Sequence, residues 1–312
     1  LAPGAASGQG GELGVVITEI KPGRGRVDVK PAGTEVWRQA GPLQALRAGD
    51  VIRTTENASV VILMSGERGS IKVDTTNSPF VVSAPQPGES KVQKARALLS
   101  ASLGFLSGTT REPPQAVLAT RGGPKPPVIL TPRNGPMLPE SLTFEWLGSR
   151  FSRYTVRIVG PSGVIVERKG VSGPRFDYPL DAPPLVPGTR YAFQVLSPGH
   201  PPQEAWFELV DPNRAQAIRR DLAGLEQLLK PISSANSLAA LRVGVLAREG
   251  LIHDARLGLI AALTKDPDEP TLHLLLGNLY LKAGLHDLAA ESYDEAQFLL
   301  TRTQSEGPPA KR

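Results

Sequence analysis

The chain has 312 residues, 40% of them apolar, which suffices for two or three ordinary domains with cores, while 32 glycines and 30 prolines predict many turns. The formal net charge of +5 is thinly spread: residues 1–112 carry 13 basic and 10 acidic groups, 113–211 carry 10 and 8, and 212–312 carry 12 and 12. No basic stripe of the kind a phosphate backbone selects is visible, so nucleic acid is not an expected partner, and the absence of cysteine excludes thiolate nucleophiles, cysteine zinc sites and disulfide frameworks.

Residues 1–12 form an N-terminal extension. Its small residues, LAPGAASGQGG, look like what remains after removal of a signal peptide, and with the missing cysteines they point to a periplasmic or extracellular protein. No run of eighteen apolar residues occurs, so no membrane-spanning helix is expected. Residues 13–83 then alternate: LGVVITEI, GRVDV, DVIRT, SVVILM, GSIKV and PFVVS read as short strands of a small sandwich or barrel. In LQALRAGDVIRTTENASVVILMSG, Gly49-Asp50 makes a compact turn, with the Asp50 carboxylate bonded to nearby backbone amides. Thr54 ends one strand, Asn57-Ala58-Ser59 turns into Val60–Met64, and Gly66 closes what reads as a hairpin.

These residues resemble a known family. Gly25-x-Val27, then Leu46, Gly49, Asp50, Ile52 and Thr54 in the order L-x-x-G-D-x-I-x-T, then an alternating strand and Gly66, resemble the FecR-type domain. The resemblance covers the first quarter to third of the chain and implies a β-rich periplasmic or extracellular module without catalytic residues. Its best-known members carry an anti-sigma segment and a membrane helix before the module, and neither is present in these 312 residues.

Residues 89–106 place Val92, Ala95, Leu98, Leu99, Leu103 and Leu106 near helical spacing. The favoured reading is a helix that covers the preceding β domain, making 13–106 one unit; a partner-binding helix or a membrane-surface helix are the alternatives. Residues 107–127, rich in proline and glycine, read as a linker. From 128 to 211, seven short strands in about eighty residues match an immunoglobulin-like or fibronectin type III-like sandwich. Phe144, Trp146, Tyr154, Tyr191, Phe193, Trp206 and Phe207 concentrate there. Alternation places such pairs on one face, as a core or, alternatively, as a carbohydrate platform.

Residues 212–301 read as helical. Asp211-Pro212 is a start signal, and Ile218, Leu222, Leu225 and Leu229 give the first helix an apolar face. Beyond it, Gly250 and Gly284, Ala255 and Ala289, Leu259 and Tyr293, and Ala262 and Ala296 recur at a spacing of 34 residues. With Pro267, Gly277 and Tyr280, these positions resemble tetratricopeptide (TPR) repeats. The first helices of such repeats line a groove, and Arg242, Arg248, His273 and Asn278 are the candidate partner-binding residues in it. The end, 302–312, has the composition of a solvated tail.

The expected fold is therefore multidomain: an all-β FecR-like domain, an all-β immunoglobulin- or fibronectin-like sandwich, and an all-α TPR-like repeat. No catalytic constellation emerges. His253-Asp254 and His286-Asp287 sit where paired helices turn back, so the aspartates read as helix caps. Neither the phosphate-binding loop nor the hydrolase elbow has its spacing, and no metal, cofactor or enzymatic activity is expected. The expected role is an exported bacterial adaptor or scaffold at the cell envelope, bound to proteins there or to copies of itself. An envelope signalling regulator and a glycan- or peptidoglycan-binding module are the alternatives.

Overall fold

The computed structural model describes residues 15–64, 69–84, 101–102, 105–106, 126–140, 142–230 and 233–301. The extension 1–12, the turn at Gly66, most of the helix expected over 89–106, all but the end of the linker 107–127 and the tail 302–312 lie outside them. Eight strands precede residue 85: β1 Val15–Lys21, β2 Val27–Lys30, β3 Arg38–Gln39, β4 Ala45–Leu46, β5 Val51–Thr54, β6 Ser59–Met64, β7 Ser70–Val73 and β8 Phe80–Val81. They form two four-stranded sheets, β4-β1-β6-β7 and β3-β2-β5-β8, and Val15, Ile17, Val27, Val29, Ile52, Ile62 and Met64 share the buried core of this region.

The stretch 43–66 does not form the expected hairpin. β5 pairs with β2 and β8, whereas β6 pairs with β1 and β7 in the other sheet. Residues 55–58 are thus an arch between sheets. The hairpin in this part of the chain is β6–β7, with Val60 opposite Val73 and Leu63 opposite Ser70. Alternation alone cannot distinguish the two, because an arch and a hairpin both separate apolar runs by a few turn residues. Gly25 shows why the arch needs a glycine beside it: a Cβ there would stand 1.9 Å from the Thr55 carbonyl oxygen.

The second β region holds eight strands where seven were expected: β9 Val128–Thr131, β10 Gly135–Met137, β11 Thr143–Leu147, β12 Arg153–Gly160, β13 Gly163–Ser172, β14 Arg175–Asp177, β15 Arg190–Leu196 and β16 Gln203–Leu209. They make a five-stranded sheet, β10-β16-β15-β12-β13, and a three-stranded sheet, β14-β11-β9. The additional strand, β10, pairs in parallel with β16. Between the sheets lie Phe144, Trp146, Tyr154, Tyr191, Phe193 and Phe207, all buried, with Phe144 touching Phe193 at 4.8 Å and Phe207 at 5.2 Å between ring centroids. Trp206 alone of the seven aromatics is half-buried, under the Arg190 guanidinium. The six buried rings are core.

Five helices follow: α1 Pro212–Leu229, α2 Ala235–Arg248, α3 Ile252–Lys265, α4 Pro270–Lys282 and α5 His286–Thr301. Asp211 caps α1 as its sequence suggests, accepting from Asn213 N and Arg214 N with Pro212 in the first turn. The multidomain fold with a TPR-like array is corrected by what packs around these helices. Sixteen strands in four sheets lead into a helical region without an extended repeat array among the described residues. Two helical hairpins, α2–α3 and α4–α5, keep the 34-residue spacing locally. Their apolar faces are covered by the sheets instead of by further repeats. One buried cluster joins the helices to Val16, Leu43 and Leu63 of the first region, with Val128, Leu130 and Leu138 of the second packed against it. Leu300 of α5 in turn lies in the core of the first region.

The helix expected over 89–106 is described only at 101–102 and 105–106, which are helical. Ser102 and Leu106 approach Gly244 of α2, where an added Cβ would meet both at 3.3 Å, and the Lys282 ammonium lies over the Phe105 ring. Ser102, Phe105 and Leu106 therefore seat on the helical region, and not simply on the β region before them. Among the described residues no helix is long and apolar enough to cross a membrane.

Candidate functional site

The FecR-like residues have structural duties. Leu46 is buried in β4 opposite Val15, and Gly49 holds a φ of 90°. Asp50 is buried and accepts from Ala32 N through Oδ1 and from Arg47 N through Oδ2, both at 2.8 Å. Its two oxygens thus tie the β2–β3 loop to the turn before β5. Ile52 and Thr54 point inward from β5.

The four residues expected to line a groove each have a partner of their own. Arg242 is exposed and donates to Glu226 of α1 at 2.7 Å, and Arg248 reaches its neighbour Glu249 at 3.4 Å. The Nε2 of His273 bonds the Pro267 carbonyl at 2.7 Å. Asn278 faces inward, buried, and accepts from Tyr293 Oη at 2.7 Å. The repeat-like small residues serve close packing: a Cβ at Gly277 would stand 2.5 Å from the Tyr293 ring, and Ala255 and Ala289 are fully buried. Gly250 and Gly284 end α2 and α4 with φ of 81° and 74°, each followed by a matching closure, Leu251 N to Leu246 O and Leu285 N to Tyr280 O at 2.8 Å. Ala262 and Ala296 complete the helix contacts.

What does converge is a polar joint between β1 and the helices. Glu269 caps α4: its Oε1 accepts from Thr271 N at 3.2 Å and from Ile20 N of β1 at 3.0 Å. One carboxyl oxygen so serves a helix start and a strand 249 residues away. Ile20 N is available because β1 carries a bulge between Ile17 and Glu19, where pairing with β6 shifts register. Thr18 Oγ1 and Ser237 Oγ share a hydrogen bond at 2.7 Å, and the Ser234 hydroxyl, while capping α2 by accepting from Ser237 N, donates to Glu19. At the rim, Lys21 Nζ and Asn236 Nδ2 both donate to Asp266 Oδ2 at 2.7 Å.

Burial sets the charges there. Glu269 is completely buried with Oε2 unpartnered, and desolvation pushes its pKa up to about 7 despite the amides that favour its charged form, with Glu19 adding repulsion. Partial burial works against the Lys21 ammonium, yet the hydrogen bond and charge of Asp266 outweigh it and raise the pKa. Asp266 is shifted down because the bonds from Lys21 and Asn236 outweigh its desolvation. Beside this joint, Glu19, Lys21, Ser59, Val61, Ser70, Lys72 and Ser234 line an open cleft of about 310 Å³.

A second joint fastens the helices to the other β region. His253 Nδ1 bonds Thr131 Oγ1, Asp254 accepts from Leu138 N at 3.0 Å, and Arg256 donates to Glu145 at 2.6 Å. Arg133 donates to the Ala283 carbonyl at 3.0 Å. The cap expected of Asp254 is thus corrected: Leu251 starts α3 without a side-chain cap bond, and Asp254 holds the β10 region instead. Asp287 lies exposed in the first turn of α5. The space at this joint, about 10 Å³ between Thr131, Arg133, His253, Arg256 and Tyr280, has room for a single water.

Sequence reasoning passed over Glu19, Glu269 and Arg256 because each looks like an ordinary helix or strand charge. The one available signal was Glu269 immediately before Pro270, a helix-start pair of the same kind as Asp211-Pro212. No protein-family model matches the chain, and no curated protein matches it either.

Proposed function

We propose that this chain is a non-catalytic scaffold exported to the bacterial cell envelope, where it holds protein partners in fixed relative positions. The observation that carries the reading is the double fastening of the helices. Buried bonds from Glu269 and Ser237 grip β1, and bonds from His253, Asp254 and Arg256 grip the second β region. A body clamped at two faces suits the presentation of surfaces. The FecR-like residues and the absence of cysteine support the envelope setting.

The test is crosslinking of the native protein in its own envelope fraction, followed by capture and mass analysis. Recovery of itself or of abundant surface-structure proteins supports the scaffold. Recovery of a receptor or membrane sensor in roughly equal amount replaces it with the regulatory reading suggested by the FecR-like motif.

A further inference from the structure

The joint between β1 and the helices gathers Glu19 and Lys21 from β1, Asp266 from the end of α3 and Glu269 from the start of α4. Three of these groups are carboxyls and one is an ammonium. The Lys21 ammonium is engaged by Asp266 at 2.7 Å, and Glu19 is held by the Ser234 and Ser237 hydroxyls. Glu269 is left with amides alone: Oε1 accepts from Ile20 N and Thr271 N, and Oε2 has no partner. The hydroxyl of Thr271, two residues on, is likewise buried and unpartnered.

The neighbouring elements bring no hydrogen-bonded cation to Glu269 among the described residues. Lys21 feels its charge at longer range, while the ammonium hydrogen bond goes to Asp266. The start of α2 contributes Ser234, Asn236 and Ser237, none of which titrates. On the sheet, Lys72 of β7 lines the adjoining cleft and lies 3.9 Å from Asp74. Lys265 and Asp268 flank the pair in sequence and are exposed. In α4 the nearest ionisable side chain is His273, whose Nε2 lies 2.7 Å from the Pro267 carbonyl. From α5, Tyr293 bonds Asn278, more than two helical turns beyond Glu269.

A carboxyl in this setting is tolerated neutral and opposed when charged, since dry burial and the Glu19 charge act in the same direction. We propose that the joint is a proton-operated latch: a protonated Glu269 keeps the start of α4 seated on β1, and loss of that proton frees it from the strand. The far end of α4 stays held, because Arg133 donates to the Ala283 carbonyl and α3 remains bonded to the second β region. Glu269 keeps its proton to about pH 7 when the joint is closed and to about 4.5 when it is open to water. Closure is therefore unpenalised below about pH 4.5 and weakens about tenfold per pH unit as pH rises toward 7. The latch stands whether or not the chain is a scaffold.

The experiment is amide hydrogen exchange of the full chain by NMR from about pH 4.5 to 8, each rate divided by its intrinsic, pH-dependent value. Ile20 and Thr271 report on the joint because their N–H groups bond Glu269, and Phe193, in the middle of its sheet, reports on the aromatic core. Protection at Ile20 and Thr271 should lie well below that at Phe193 and fall roughly tenfold per pH unit between about 4.5 and 7. Glu269→Gln keeps an acceptor for both amides and should abolish the fall, while Glu19→Gln removes repulsion and should move its midpoint to lower pH. His273→Gln should leave the fall in place, although an imidazole ordinarily titrates in this range. In the parent chain, the carboxyl carbon of Glu269 should titrate with the same midpoint, a reading that needs no variant. Equal protection at Ile20, Thr271 and Phe193 at every pH overturns the latch, because the joint then opens only with the whole molecule. A carboxyl midpoint near 4.5 overturns it too, as does a fall that survives Glu269→Gln or vanishes in His273→Gln.

Discussion

The aromatic core of the second β region and the joint between β1 and the helices are both buried, but they are made of opposite materials. In the first, Phe144, Trp146, Phe193 and Phe207 meet ring to ring, and dispersion and desolvation do the holding. In the second, carboxyl, hydroxyl and ammonium groups meet across more than 200 residues of sequence. An apolar core responds to changes of volume and is indifferent to pH. A polar joint tolerates small changes of volume but responds to protons. The polar seam therefore adds a pH dependence that the ring-to-ring contacts of the aromatic core lack.

The largest effect should come from breaking the apolar side. Trp146→Ala removes a fully buried ring and should cost about 3–5 kcal/mol in urea unfolding followed by circular dichroism. A loss below about 1 kcal/mol would mean that the aromatic cluster is not what holds these sheets. Gly277→Ala probes packing between α4 and α5, since the added methyl must displace the Tyr293 ring; about 1–3 kcal/mol is expected. The bond from Tyr293 to Asn278 should loosen with it, read as faster hydrogen exchange in both helices.

The polar side predicts a slope instead of a step. Glu269 has a folded pKa near 7 against 4.5 for its ordinary value, so the folded chain binds more protons between these limits. Its burial is therefore unpenalised below about pH 4.5, and stability falls as pH rises toward 7, by on the order of 1–3 kcal/mol. Glu269→Gln keeps an oxygen for Ile20 N and Thr271 N and should remove this component of the slope. An unchanged melting profile from pH 4.5 to 8 in the variant and its parent would show that Glu269 does not titrate with folding. The smallest effect is at the rim: Lys21→Ala breaks an exposed pair with Asp266 and should cost less than about 1 kcal/mol, diminishing with added salt.

Local readings of the chain succeeded where the physics is local. The Asp50 turn, the Asp211 cap and the apolar face of α1 are each decided within a few residues, and they form as the side chains dictate. The aromatic alternation in 143–147 and 190–196 marks an inward face for the same reason. The hairpin reading of 43–66 failed because strand partners are chosen by sheet closure, which leaves no mark on alternation. The groove reading failed at Asn278, which repeat position placed on a surface and packing turned inward.

By itself, then, the sequence determined most strands and helices, which faces are apolar, and local features such as the Asp211 cap and the Asp50 turn, since those follow from backbone sterics and short-range hydrogen bonds. Only the tertiary structure decided which face covers which. It set Glu269 under β1, Asp254 on the β10 region, and Lys30 and Arg53 around one tryptophan. Such pairings are settled by burying all apolar faces at once, and no local pattern encodes that collective condition.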